Sequence, residues 1–182
     1  MYVRATRVQN PPDAVEKGIA FFKEKVAPAV KGAPGNAGAI LLVDRKTGAA
    51  VGITMWATAQ ALGASEQVIA DRAQPPKAGS FVRLNTITGD PKKIDDAIKF
   101  VEKQVLPVLK ALKGYRALLM SVDRLTGRST VSTVWETIAD LEASEPKVSS
   151  LRRDAADAAG ASDVKVEIFE TAFVEIAQPA RV

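Results

Sequence analysis

The sequence predicts an α+β fold of two tandem ferredoxin-like (βαββαβ) units, spanning residues 1–78 and 79–182. Three observations carry that expectation. The stretch VDRKTGAAVGITMW, Val43 to Trp56, returns as VDRLTGRSTVSTVW, Val122 to Trp135, at an offset of 79 positions. The same offset aligns residues 3–69 with 82–148 without a gap, pairing Val3 with Val82, Arg4 with Arg83, Pro28 with Pro107 and Gly35 with Gly114. Within each copy the elements read strand, helix, strand, strand, helix, strand. A period this long implies two domains rather than a solenoid.

Each copy opens with a strand, YVRATRV or FVRLNTI, closed by a Pro-bearing turn. A helix follows from about Pro12 or Pro91, where the missing N–H falls in a first turn that leaves it unused anyway. Val15, Ile19, Phe22, Val26 and Val30 form its apolar stripe, matched by Ile94, Ile98, Val101, Val105 and Leu109. Pro28 and Pro107 are expected to end or kink it. After Gly35 or Gly114 comes a second strand, AILLV or ALLMSV. Asp44 and Asp123 suit an Asx-turn, and Gly48 and Gly127 can take φ > 0, so a five-residue loop should join the second and third strands. The third strand ends at Trp56 or Trp135. A second helix is expected from near Ser65 or Ser144, both read as N-caps.

The copies diverge at their ends. The second finishes in a long strand, VKVEIFETAFVEI (Val164–Ile176), where the first has only DRAQPPKAG, so the first copy is expected to lack its fourth strand. At ~3.3 Å per residue the terminal strand reaches ~43 Å, enough to serve both sheets. The other solution is a second chain over the open edge, a homodimer of the fused pair.

Composition narrows the chemistry. Apolar residues make up 47% and charged residues 25%, as in ordinary globular proteins. The net charge of +4 is scattered and few aromatics interleave it, so no nucleic-acid partner is expected. No run of 18 apolar residues exists, so no membrane partner is expected. MYVRATRVQNPP carries no signal-peptide h-region, and the expected location is cytoplasmic. The chain has neither Cys nor His. Thiolate nucleophiles, Ser-His-Asp triads and Cys- or His-ligated metals are therefore excluded, and no metal or cofactor is expected. KGAPGNAG (Lys31–Gly38) has glycines but not the spacing of a phosphate-cradling loop.

The stretch LKGYRALLMSVDRLTGRSTVSTVWETIADLEAS resembles the antibiotic-biosynthesis-monooxygenase-like (ABM-like) group of the dimeric α/β-barrel superfamily. Its pattern is a Gly-aromatic lead into the second strand, a polar turn, and a strand ending in Trp-Glu-[Ser/Thr]. The first copy, GAILLVDRKTGAAVGITMWATAQAL, has Ala57 where the second has Glu136. The resemblance implies that the two units pack sheet to sheet as a fused dimeric α/β barrel. It also implies a small-molecule pocket, with three uses open. One is a cofactor-independent monooxygenase acting on an aromatic or quinol-type substrate. The second is non-catalytic binding of a small apolar or aromatic molecule, and the third is an assembly protein of the same fold. The family's haem-degrading branch needs a His on the second helix, and EPKVSSLRRDAADAAG has none.

In the enzymes of that group, an Asn on the first strand and the Trp ending the third line the pocket. Asn85 and Trp135 match those positions in the second copy; Thr6 and Trp56 are their counterparts in the first. Catalytic candidates are Asn85, Trp135 and Arg83, and substrate-binding candidates are Thr133, Tyr115, Trp56 and Arg4. Strand alternation puts Arg83 with Asn85 and Thr133 with Trp135, each pair on one face. Structural alternatives stand beside these roles. Each Trp can seal the gap between strand end and helix, Tyr115 can be a strand-edge aromatic, and Arg83 can pair with Glu167 or Glu170 on the terminal strand.

Overall fold

A computed structural model describes residues 1–58, 65–71, 74, 76–161 and 163–176, with the backbone alone for 65–70. The chain order begins with β1 (Tyr2–Gln9), then α1, β2 (Asn36–Val43), β3 (Ala49–Trp56), β4 (Ser65–Asp71) and β5 (Phe81–Thr88). It continues with α2, β6 (Tyr115–Asp123), β7 (Arg128–Trp135), α3 (Ile138–Ala158) and β8 (Val164–Ile176). Helix α1 runs from a 3-10 turn (Pro12–Ala14) through Val15–Phe21, a π turn (Phe22–Val26) and Ala27–Lys31. Helix α2 repeats that plan as Pro91–Lys93, Ile94–Phe100, Val101–Val105 and Leu106–Lys110.

The eight strands close into an antiparallel barrel in the order β1-β3-β2-β8-β5-β7-β6-β4. Strand β8 joins the halves on one side. Its residues Val164–Glu170 pair with β5, and Glu170–Ile176 pair with β2 across a register shift between Leu41 and Leu42. The long terminal strand thus serves both sheets, as its length allows. On the other side, β4 pairs with β6 and briefly with β1.

Three expectations need correction. The fourth strand expected to be missing from the first half is present as β4, and Ser65 opens that strand instead of capping a helix. The reason is nonlocal. The edge of β6 offers unpaired N–H and C=O groups from Leu118 to Val122, and Gln67-Val68-Ile69 is a β-prone run that can satisfy them. In the second half the helix starts at Ile138, with Thr137 as its N-cap accepting from Asp140 N at 3.1 Å. Ser144 lies inside that helix, its hydroxyl turned back to Leu141 O at 2.6 Å. Finally, Pro28 and Pro107 do not end α1 and α2, the first of the two outcomes expected for them; each helix runs on past its proline, preceded by a π turn that accommodates the lost donor.

The two hairpin turns form as the residue types dictate. Asp44 Oδ1 accepts from Lys46 N and Asp123 Oδ1 from Leu125 N, both at 2.9 Å. Gly48 and Gly127 sit at φ of 78° and 73°. A Cβ on Gly127 would also lie 2.2 Å from the carbonyl oxygen of Gly89.

Apolar residues pack on both faces of the barrel wall. Leu42, Met55, Val82, Leu84, Val134 and Phe169 fill part of the interior. Outside the second half, Val101, Leu109, Leu118, Met120, Trp135 and Leu141 form a core beneath α2 and α3. Outside the first half, α1 covers β2, with Phe22 edge-on to Phe173 at 5.7 Å. The outer positions of β1, Arg4, Thr6 and Val8, are exposed, whereas their counterparts Arg83, Asn85 and Ile87 are buried. This difference decides where a buried site can form. No helix among the described residues is long and apolar enough to cross a membrane.

Candidate functional site

Arg83 is the residue around which the second half's outer face is organised. It stands on central strand β5, opposite Thr133 of β7, and is 3% exposed. A buried guanidinium is tolerated only when its donors find partners. Here Nη1 donates to Ser144 Oγ at 2.9 Å, and Nη2 donates to Leu141 O at 2.7 Å and lies 3.0 Å from Glu145 Oε2. All three partners belong to α3, so neither Glu167 nor Glu170 is the Arg83 counterion. Those carboxylates hold Arg7 and Arg45 instead. Glu145 also takes a two-pronged contact from Arg152 at 3.0 and 2.8 Å. Burial pushes the Arg83 pKa down; Glu145 opposes that shift and Arg152 adds to it. One donor is left over: Arg83 Nε is buried without a partner.

Asn85 lies two residues along the same face. Its Nδ2 donates to Val131 O at 3.1 Å, while its Oδ1 is buried with no partner. Both atoms belong to residues lining a cavity of about 50 Å³ between the sheet and the helices. Thr133 lines it too, and Val101, Leu109, Val148 and Ala155 supply apolar walls. Thr133 Oγ1 is already engaged, accepting from Trp135 Nε1 at 3.0 Å.

Trp135 is fully buried beneath Arg83, whose guanidinium carbon is 5.9 Å from the ring centre, a cation–π distance. Tyr115 meets the indole edge-on at 5.9 Å and donates its phenol to Asp71 Oδ2 at 2.8 Å. Burial, followed by that hydrogen bond and the Asp71 charge, raises the Tyr115 pKa well above its ordinary value. Trp135 and Tyr115 therefore stand behind the polar wall and do not line the cavity. Glu136, next along the chain, pairs with Lys77 and Arg116. Hydrogen bonds from those two cations hold its carboxyl below the usual range.

The first half repeats part of this geometry without the enclosure. Trp56 Nε1 donates to Thr54 Oγ1 at 2.9 Å, matching the Trp135–Thr133 bond. Arg4, opposite Thr54 in register, is exposed, and Trp56 is half-buried. Neither lines the cavity. The structure thus brings Arg83, Asn85 and Thr133 to one small space and leaves Arg4 and Trp56 in the other half. Glu145 and Arg152 complete the site and were missed from the sequence. Their spacing of seven residues, which sets two side chains on one helix face, was the available signal. Among the described residues, no three His, Cys, Asp or Glu side chains gather as metal ligands.

The closed barrel has solved counterparts. A structure described as an anthrone oxidase-like protein superposes with a TM-score of 0.71 at 12% identity, covering 100% of this chain and 97% of that one. An uncharacterized ferredoxin-fold protein related to antibiotic biosynthesis monooxygenases, from Listeria monocytogenes 4b F2365, gives 0.60 at 8% identity over 93% and 94%. The heme-degrading enzyme LmHde of Listeria monocytogenes gives 0.59 at 9% identity over 93% and 99%. At these identities the likeness is one of fold. In sequence, the chain is 27% identical to the uncharacterized protein Rv2557 of Mycobacterium tuberculosis (strain ATCC 25618 / H37Rv), over 98% of this chain and 91% of that protein. It is also 27% identical to Rv2558 of the same strain, over 98% and 86%. No protein-family model matches the chain.

Proposed function

We propose that this protein is an ABM-like barrel whose working site is the small-molecule pocket beneath α3, and that residues 1–78 and 79–182 are diverged copies of one unit. One observation carries the pocket. Arg83 Nε and Asn85 Oδ1 are buried polar atoms without partners in residues lining the same cavity. Native proteins rarely leave such atoms unpaired, because each costs about 1–3 kcal/mol. A ligand with a hydroxyl beside a carbonyl or oxyanion satisfies both. Its O–H donates to Asn85 Oδ1, and its second oxygen accepts from Arg83 Nε. Enolisable ring ketones with a neighbouring hydroxyl, and ortho-quinols as their monoanions, carry that pair, and the apolar walls suit an aromatic body. Seating a whole ring in about 50 Å³ requires α3 to give way at Val148, Leu151 and Ala155.

The reaction this arrangement favours is cofactor-independent oxygenation. The substrate anion is the reductant and O2 the oxidant. For an enolisable ring ketone, one oxygen atom becomes a ring C=O, and the other leaves as water with the two hydrogens of the oxidised CH2. Arg83 would stabilise negative charge on the substrate oxygen as it develops, and Asn85 would orient the hydroxyl. With no His in the chain, solvent hydroxide removes the proton, so the rate should climb with pH.

The lack of a carboxylate, Lys or Tyr among the described residues lining the cavity, and its small volume, favour a second reading, non-catalytic binding of the same ligands. Oxygen uptake with a panel of anthrone and quinol substrates, alongside ligand-induced shifts in Tm, separates the two. Turnover that falls ~10²-fold in Asn85→Ala supports the oxygenase. Shifts in Tm that Asn85→Ala abolishes, without oxygen uptake, support binding. No uptake and no shift across the panel overturns both.

A further inference from the structure

The inside of the barrel holds a second and larger space. An eight-stranded barrel is wide enough either to be filled by side chains or to hold one small ligand. Val82, Ala117, Val134 and Phe169 do fill part of this interior. Towards the β6–β7 turn the inward positions shrink to Ala5, Ser121, Thr130 and Ser132, and a cavity of about 400 Å³ opens. That volume is in the range of small-molecule pockets. Val3, Ile40, Ile53, Leu84 and Leu119 form its apolar wall, with Met55 alongside.

Its rim is polar and biased towards cations. Arg7, Asp123 and Arg128 line it. Arg7 grips Glu167 with both terminal nitrogens, at 2.8 and 2.6 Å, and Lys165 Nζ lies 3.0 Å from the same carboxylate. Asp123 spends its Oδ1 on the turn N–H groups of Leu125 and Thr126. Glu167 is thus paired with two cations although its buried Oε2 lacks a hydrogen bond, and Arg128, the register partner of Asp123, is exposed at the rim with its charge acting on Asp123. Thr86, which shares the inward face of β5 with Leu84 and pairs with Thr130, keeps a buried hydroxyl without a partner.

We propose that this barrel cavity binds an apolar carboxylic acid. Its hydrocarbon body lies along the Val3, Ile53 and Leu119 wall, and its carboxylate sits between Arg128 and Arg7. The site is independent of the pocket beneath α3. Alternation along β5 turns Leu84 inward and Arg83 and Asn85 outward, so the sheet itself separates them.

The chain's methionines make the test site-specific. Met55 lines the barrel cavity, and Met120 packs outside the sheet beneath the helices. With methyl-labelled methionine, sodium decanoate should move the Met55 methyl resonance saturably at one equivalent and leave Met120 in place. Ser132→Phe should fill the cavity and remove the shift. Because that change can also disturb folding, the rim variant Arg128→Gln decides: it should weaken decanoate at least tenfold while leaving decan-1-ol unchanged. No Met55 shift at millimolar decanoate, a shift confined to Met120, unsaturable binding, or equal decanoate affinity in Arg128→Gln would overturn the proposal.

Discussion

Arg83 on β5 lies 3.0 Å from Glu145 on α3, and Glu145 holds Arg152 with both of its oxygens. The chain thus ties its central strand to its longest helix by a charge pair that forms only when both are in place. Removing Arg83 nevertheless orphans little. Leu141 O still accepts from Ser144 Oγ, and Glu145 keeps Arg152. Arg83→Met should therefore change stability by no more than about 1 kcal/mol in urea titrations, since the partly exposed Glu145 keeps Arg152 and no buried charge is left uncompensated. Ligand-induced shifts in Tm should be lost in the same variant. A loss of several kcal/mol would assign Arg83 to the scaffold.

Glu145 also sets a pH dependence. The Arg152 hydrogen bond, opposed by partial burial and helped by Arg83, holds its carboxyl below the ordinary value of 4.5. A depressed folded-state pKa stabilises the fold above the unfolded value, and that contribution is lost as pH falls through the folded value. Urea melts from about pH 3 to about pH 7 should show a shallower acid limb in Glu145→Gln than in the parent. Identical limbs would mean the pair is too solvated to matter.

Tyr115 acts at the other end of the scale. Burial and Asp71 raise its pKa above 10.0, so the fold prefers the neutral phenol. Its contribution is complete below the unfolded value and is lost as pH rises beyond it. Tyr115→Phe should reduce the alkaline loss of stability, read by thermal melts. Absorbance at the tyrosinate band should show one residue that ionises only on unfolding.

The two tryptophans make the same internal bond in different surroundings. Trp135 is fully buried under α3, and Trp56, its counterpart in the first half, is half-buried. Trp135→Ala should cost about 3–5 kcal/mol, as large aromatic deletions from cores do. Trp56→Ala should cost far less. Near-equal losses would mean that the first half's outer face is covered in solution.

Strand β8 closes the barrel only through its second half. A chain stopped after Glu170 loses the partner of Gly38–Leu42 and exposes the edge of β2. Unpaired edges seek other chains. Light scattering should find the truncated protein associating with rising concentration, to a higher order than the full chain. An unchanged size and Tm would show that β8 is dispensable for closure.

The features legible in the sequence share one property: they are encoded locally. The Asx-turns at Asp44 and Asp123, the glycines beyond them, the stripes of α1 and α2 and the full extent of β8 all follow from neighbouring residues. Alternation was enough to group Arg83 with Asn85 and Thr133 with Trp135. What misled was also local. Ser65 and Ser144 have the chemistry of N-caps, yet one opens a strand and the other lies within a helix.

By itself, then, the sequence determined the elements of the second half, the hairpin turns of both halves, and which side chains share a strand face. Tertiary structure decided which of those faces became a site. Residues Ser65–Asp71 satisfy their backbone on β6, a strand about fifty residues away, and so become a strand, while Arg4 and Thr6 of β1 stay exposed. In the second half, α3 instead brings Ser144, Leu141 O and Glu145 over Arg83 and buries it beside Asn85. Hydrogen-bonding groups on a free sheet edge outweigh local helix signals, because leaving them unpaired costs more than propensity differences of about 1 kcal/mol or less. A buried charge likewise acquires its partner only when distant elements pack, and no pattern within a single strand can specify that.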